Sequence, residues 1–269
     1  MVSFIFNSRS PLKFFLLVFA QSIPFWIIGF IVGDSFKIPL LNLPLSALTT
    51  FCPLIAAAIL VYKEQGRQGV MELLKRSFDF ERIKGKKWYL PIVVLMPVMT
   101  LISYAYMKMT GAILPEFKIP FLYVLVFFLM YFIGAIGEEV GWSGYATDPL
   151  QNRYGALKAS IILGFVWAIW HIIPWSQNGQ TPGWVMWQSI STILLRIVMV
   201  WIFNNTRKSV FAMVIFHVMI NLSPYLIPDI GSHYDPFIHS ILLMLTVIFV
   251  VYLWGTKTLA RYRFTQWAS

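Results

Sequence analysis

The chain has 269 residues, of which 58% are hydrophobic and only 12% charged, with a formal net charge of +10 and a mean hydropathy of +0.72. Soluble domains carry about 25% charged residues and disordered chains need low hydrophobicity, so both classes are excluded. The basic residues fall between long apolar runs and form no stripe on a polar face, which excludes nucleic acid as a partner, and the single cysteine, Cys52, excludes an internal disulfide or a thiolate zinc site.

Uncharged apolar runs of about 20 residues, the length of a membrane-spanning helix, recur along the chain. The first covers 14–33. It contains Pro24 and Trp26 and no small-residue cleavage site follows, so it reads as a span and not a cleaved signal. The second covers 38–62 and leads into a basic segment from Lys63 to Lys87. There Val70, Met71, Leu73, Leu74 and Phe78 recur at helical spacing, so the segment reads either as a short helix on an anionic inner leaflet or as a solvated loop. The third run covers 88–107. The fourth, 119–137, stays uncharged past Glu138 and Glu139 as far as Asp148, so its helix is expected to reach about Pro149. The run 159–195 holds a fifth span, a polar turn at Ser176–Gly179 and most of a sixth; 209–228 and 236–256 supply the last two.

Spans of this length exclude a β-barrel, whose strands alternate over about ten residues. The predicted fold is all-α: a polytopic membrane protein of eight transmembrane helices, one domain over 1–269, with its lipids as partners. If the N-terminus is cytoplasmic, Arg9, Lys13, the cluster from Lys63 to Lys87, Arg153, Lys158, Arg207, Lys208, Lys257, Arg261 and Arg263 all lie inside. Only Lys37, Lys108 and Lys118 then lie outside, which satisfies the positive-inside rule. A multi-pass protein of the cell membrane with both termini cytoplasmic is therefore expected.

Ionisable side chains inside spans cost several kcal/mol and are functional suspects. Here they are Glu138, Glu139, His171, Arg196 and His217, with Asn221 beside them. Counted at 1.5 Å per residue from the cytoplasmic turns, they fall in a common depth band on four helices. His217 and Asn221, like Trp167 and His171, are four residues apart and share a helix face. Glu138 and Glu139 are about 100° apart around their helix, so one should face the site and the other a supporting partner. A buried Glu can act as a general base, His and Glu can hold zinc with a position open for water, and an Asn amide can donate to an oxyanion. Together they suit a hydrolytic site. Outer-loop His233 and His239 read as solvated, and Asp148, Asp229 and Asp235, each near a proline, as turn or cap residues. Trp88, Trp175, Trp184, Tyr252 and Trp254 read as interfacial aromatics.

At these residues the sequence resembles the CPBP intramembrane protease family, which includes the type II CAAX prenyl endopeptidases and bacteriocin-immunity relatives (Abi family). A Glu-Glu-x-x-x-Arg motif corresponds to Glu138–Ser143, an aromatic-x-x-x-His motif to Trp167–His171, and a His-x-x-x-Asn motif to His217–Asn221. The likeness covers a core of about 120–225. It implies an endopeptidase in which Glu138, with His171, activates water, Glu139 supports, and His217 and Asn221 complete the site as metal ligands or oxyanion donors. Zinc held by Glu138, His171 and His217 and a metal-free glutamate mechanism both remain open, as does the protein or peptide substrate. A non-catalytic immunity or transport protein on the same scaffold is the alternative.

One position departs from the pattern. Ser143 stands where the motif has arginine, and two adjacent buried carboxylates without a cation would repel. Arg196, alone in mid-span on another helix, is expected to supply that charge by pairing with Glu139, leaving Glu138 free as the base. Snorkelling of Arg196 to the headgroups is the competing expectation.

Overall fold

The computed structural model describes residues 9–32, 37–38, 43–115, 121–226, 233–260 and 262–263. Lys118, Asp229 and Arg261 lie outside the described residues, as does the side chain of Lys37. The helices are α1 (Pro11–Val32), α2 (Cys52–Lys75), α3 (Tyr89–Met109), α4 (Phe121–Gly141), α5 (Thr147–Tyr154), α6 (Ala156–Gln177), α7 (Pro182–Asn205), α8 (Val210–Leu222) and α9 (Pro236–Trp254). Strands β1 (Lys37–Ile38) and β2 (Leu43–Pro44) make a two-residue antiparallel ladder after α1, and the all-α class holds.

Among the described residues, seven helical segments are long and apolar enough to cross a membrane, including Ala47–Phe78 and Val124–Tyr154. The seventh expected span, 209–228, is shorter: its apolar helical segment covers Val210–Tyr225. Ser209 caps α8 through the Ala212 amide, and after Leu222 the α-helix gives way to a 3-10 turn over Ser223–Leu226, where Pro224 has no N–H to continue the α-helical ladder. Nearly all of α8 is buried among its neighbours, so it packs as a core helix. By contrast Leu12, Phe30, Leu122, Leu129 and Phe249 present bare apolar surface, which in a membrane bundle faces lipid.

Lipid tails are as apolar as leucine, so helices associate through close packing and interhelical hydrogen bonds rather than the hydrophobic effect. Helix α4 presses its small residues on the start of α2. A Cβ on Gly141 would sit 2.4 Å from the Pro53 carbonyl oxygen, and one on Gly137 2.7 Å from that of Thr50. Helix α1 is tied to α6 by Trp170 donating to Ser22 (2.8 Å) and Gln177 donating to the Trp26 carbonyl (2.8 Å). Ser191 and Ser240 join α7 to α9 at 2.9 Å. Gly141→Ala should therefore cost about 1–3 kcal/mol by overpacking, read as a lower thermal unfolding midpoint in detergent; an unchanged midpoint would contradict the close contact.

The segment after the second span packs in part on the bundle. Helix α2 kinks at Gly66, where φ is +66°, a conformation glycine adopts without steric cost. Beyond the kink Leu73 is buried and Val70 and Leu74 pack on the core, while Met71 and Phe78 are exposed. His239 also departs from expectation. Asp235 caps α9 through the amides of Phe237 and Ile238, so the helix starts at Pro236 and buries His239, with its Nε2 3.4 Å from the Thr100 hydroxyl. Asp148 pairs with Lys208 at 2.8 Å.

After Gly141 the fourth span widens into a π-turn over Trp142–Ala146, a feature frequent at functional sites. The Gly144 carbonyl accepts from both Arg9 and Arg76 at 3.0 Å. Arg76 also donates to the Lys208 carbonyl (2.7 Å) and Arg82 to that of Arg207 (3.1 Å). The Arg76 guanidinium thus links the turn after Glu138 and Glu139 to the turn that leads into the helix of His217.

Candidate active site

Glu138 and Glu139 sit in the last turn of α4, just before the π-turn, and point to different neighbours as their spacing requires. Glu138 faces a cavity of about 400 Å³ that is also lined by Thr50, Tyr131, His171, His217 and Asn221. Its Oε2 accepts from the Trp167 indole Nε1 at 2.8 Å and its Oε1 from the Thr50 hydroxyl at 3.2 Å. Both donors are neutral, so they orient this carboxyl group without pairing it with a cation.

Glu139 points away from the cavity and is fully buried. The Arg196 guanidinium grips it with two N–H donors, Nη1 to Oε2 at 3.0 Å and Nη2 to Oε1 at 3.2 Å. Ser143 donates its hydroxyl to Oε2, and His217 Nδ1 lies 2.9 Å from Oε1. The pairing expected between Arg196 and Glu139 is present, and the snorkelling expectation is overturned: Arg196 has no exposed surface. A lone guanidinium inside a bundle is costly, and a bidentate carboxylate offsets that cost.

The two histidines enter from α6 and α8. His171 Nδ1 is 2.9 Å from the Trp167 carbonyl, one turn earlier on its own helix. With the Nδ1 proton donated to that carbonyl in His171, and to Glu139 in His217, each ring keeps Nε2 as its second nitrogen. A partner on one nitrogen fixes the tautomer and the ring orientation. Asn221 lies one turn beyond His217 and lines the same cavity.

Trp167 is the hub that joins these groups. Its ring centroid is 5.3 Å from that of His171 and 5.4 Å from that of His217, the Arg196 guanidinium carbon lies 4.1 Å from its centroid, and its N–H holds Glu138. Glu138, His171, His217 and Asn221 therefore meet at one cavity, with Trp167, Glu139 and Arg196 packed around and behind them. Thr50 has no counterpart in the sequence reading. The glycines of α4 were its one available signal, because a helix that offers Gly134, Gly137 and Gly141 along one side invites a close neighbour. Thr50→Val keeps the shape and removes one hydrogen bond to a charged group, worth about 1.5–3 kcal/mol. It should lower kcat/KM about tenfold or more with folding intact, and a wild-type rate would show that Thr50 does not orient Glu138.

Glu138, His171 and His217, the set that would hold zinc in one of the two mechanisms left open, line one cavity. Among the described residues no three His, Cys, Asp or Glu side chains are grouped so as to hold a metal ion. Glu138 is engaged at both oxygens by Thr50 and Trp167, and Glu139 by the Arg196 guanidinium. The chemistry below is therefore derived from the side chains alone.

Two comparisons bear on these residues. The segment 120–223 matches the family model described as type II CAAX prenyl endopeptidase Rce1-like. The chain is also 29% identical over 238 residues, covering 81% of this chain and 85% of the relative, to CAAX prenyl protease 2 of Methanococcus maripaludis. The matched segment contains every motif residue around the cavity, so the site described above falls within the stretch that is similar to the Rce1-like type II CAAX prenyl endopeptidases.

Proposed function

We propose that this multi-pass membrane protein hydrolyses a peptide bond in a lipid-anchored protein or peptide, using water activated by Glu138. The observation that carries the reading is the division of labour between the paired glutamates. Glu139 is spent on Arg196, Ser143 and His217, while Glu138 is held only by neutral donors and faces the cavity. Glu138 takes one proton from a water held between it and His171. The hydroxide forms a C–O bond at the scissile carbonyl, and the Asn221 amide N–H, from the same cavity wall, donates to the oxygen on which negative charge develops. The C–N bond breaks and the proton on Glu138 passes to the leaving amine, so that peptide and water become acid and amine.

A lipid-anchored substrate suits the cavity rim, where Leu48, Phe51 and Ile133 are exposed apolar residues on the bundle surface. The family name points to an isoprenoid anchor. The orientation we propose, both termini cytoplasmic in the cell membrane, is supported by the gathering of basic segments at one end. Arg9, Arg76, Arg82 and Lys208 meet around the Gly144 carbonyl and the α7–α8 turn, and the Lys257 carbonyl accepts from the Ala156 amide beside Arg153.

The test uses purified protein in vesicles and two fluorogenic peptides of identical sequence, one farnesylated at its cysteine and one bare. The farnesylated peptide should be cleaved and the bare one spared, with no change in rate after dialysis against a chelator. Equal cleavage of both would overturn the lipid-anchored reading. A rate lost on chelation and restored by zinc would replace the metal-free chemistry.

A further inference from the structure

We infer that Arg196 is a positioning residue for both glutamates at once, standing in from α7 for a guanidinium that Ser143 cannot supply. The inference deepens the reading above and rests on it only for the activity measurements. Helix α7 comes very close to α6 at Gly164, where an added Cβ would lie 2.9 Å from Ile193 Cα and 3.1 Å from Arg196 Cβ. That approach sets the guanidinium against the face of Trp167, 4.1 Å from its ring centroid.

From there one planar group holds two arms. Its N–H fork fixes Glu139, which receives the Nδ1 proton of His217. Its flat face braces Trp167, whose indole N–H holds Glu138. Ser143 lies within reach of the same fork, 3.4 Å from Nη1, and donates to the same Glu139 oxygen. A guanidinium reaching in from position 143 would therefore arrive at the carboxylate that Arg196 now grips. Lysine could match the charge but neither the bidentate fork nor the stacking. Displacing a base by an ångström can cost about 10²-fold in rate, so bracing both arms bears directly on turnover.

The experiment compares wild type, Arg196→Lys, Arg196→Ala and the double variant Ser143→Arg with Arg196→Ala, all reconstituted in vesicles. With the farnesylated peptide, Arg196→Lys should fold, keep KM, lose about 10²-fold in kcat and shift its pH–rate profile. The double variant should be at least about tenfold faster than Arg196→Ala, because its guanidinium returns to Glu139. Spectra of ¹⁵N-histidine-labelled protein without peptide read the same device independently of any reaction. Wild-type His217 should populate the Nδ1-protonated tautomer, and Arg196→Lys should lose that preference. Failure of wild type to cleave would overturn the assigned reaction and leave the tautomer measurement to decide the role of Arg196. An Arg196→Lys protein with the wild-type His217 tautomer, one with wild-type kcat and pH profile, or a folded double variant no faster than Arg196→Ala would each overturn the inference.

Discussion

Glu138→Gln should lower turnover by about 10²–10⁴-fold, the range general-base catalysis contributes, in a protein that folds and assembles as wild type does. The substitution is nearly isosteric. The Gln carbonyl oxygen can still accept from the Trp167 indole, and its amide N–H can donate to the Thr50 hydroxyl, which then donates to the Gly134 carbonyl. No buried cation is orphaned, because the guanidinium behind the site is paired with Glu139. What is lost is the capacity to take a proton from water. The measurement is kcat on a membrane-embedded peptide beside the thermal unfolding midpoint. A large fall in rate at an unchanged midpoint is expected, and near wild-type cleavage would remove Glu138 from the role of base.

Glu139→Ala should do the opposite first. It strips the partner from a guanidinium with no exposed surface and removes the acceptor of Ser143 and His217. Truncating one member of a buried ion pair costs about 3–5 kcal/mol, because the remaining charge stays buried and uncompensated. A marked drop in unfolding midpoint and in the yield of folded protein from membranes is expected, with activity falling along with it. A Glu139→Ala protein as stable as Glu138→Gln would mean that the pair does not hold the bundle together.

These contrasting outcomes follow from adjacent residues, and the sequence foreshadowed the contrast. Neighbouring positions on a helix cannot share one direction, and a lone mid-span arginine needs a carboxylate. Those two arguments were enough to pair Arg196 with Glu139 across 57 residues. The spans were legible for a similar reason, since lipid tolerates charge so poorly that uncharged runs mark helices. The short helix α8 escaped that logic. A run of apolar residues does not say whether the helix faces lipid or neighbouring helices, and Pro224 ends it early.

The connections within the site were harder to read. Trp167 was visible as a motif residue, but periodicity gives no direction for its indole N–H or for the ring face that meets Arg196. Thr50 carries no charge and lies 88 residues from Glu138, so only the glycines of α4 hinted at a partner. His239 was assigned to the outer loop, although Asp235, read as a turn or cap residue, caps a helix that buries the ring. The zinc set came with the family resemblance, beside a metal-free alternative. The engagement of both Glu138 oxygens by neutral donors is a matter of side-chain geometry that residue types do not record.

The central claim, hydrolysis by water activated at Glu138, is tested most directly by product analysis in water enriched with ¹⁸O. Purified wild-type protein in vesicles should split the farnesylated peptide and leave heavy oxygen in the newly formed carboxyl group of the lipidated fragment, while Glu138→Gln, folded and at equal concentration, should leave the peptide intact over the same time. Labelled product formed by Glu138→Gln at the wild-type rate would contradict the account.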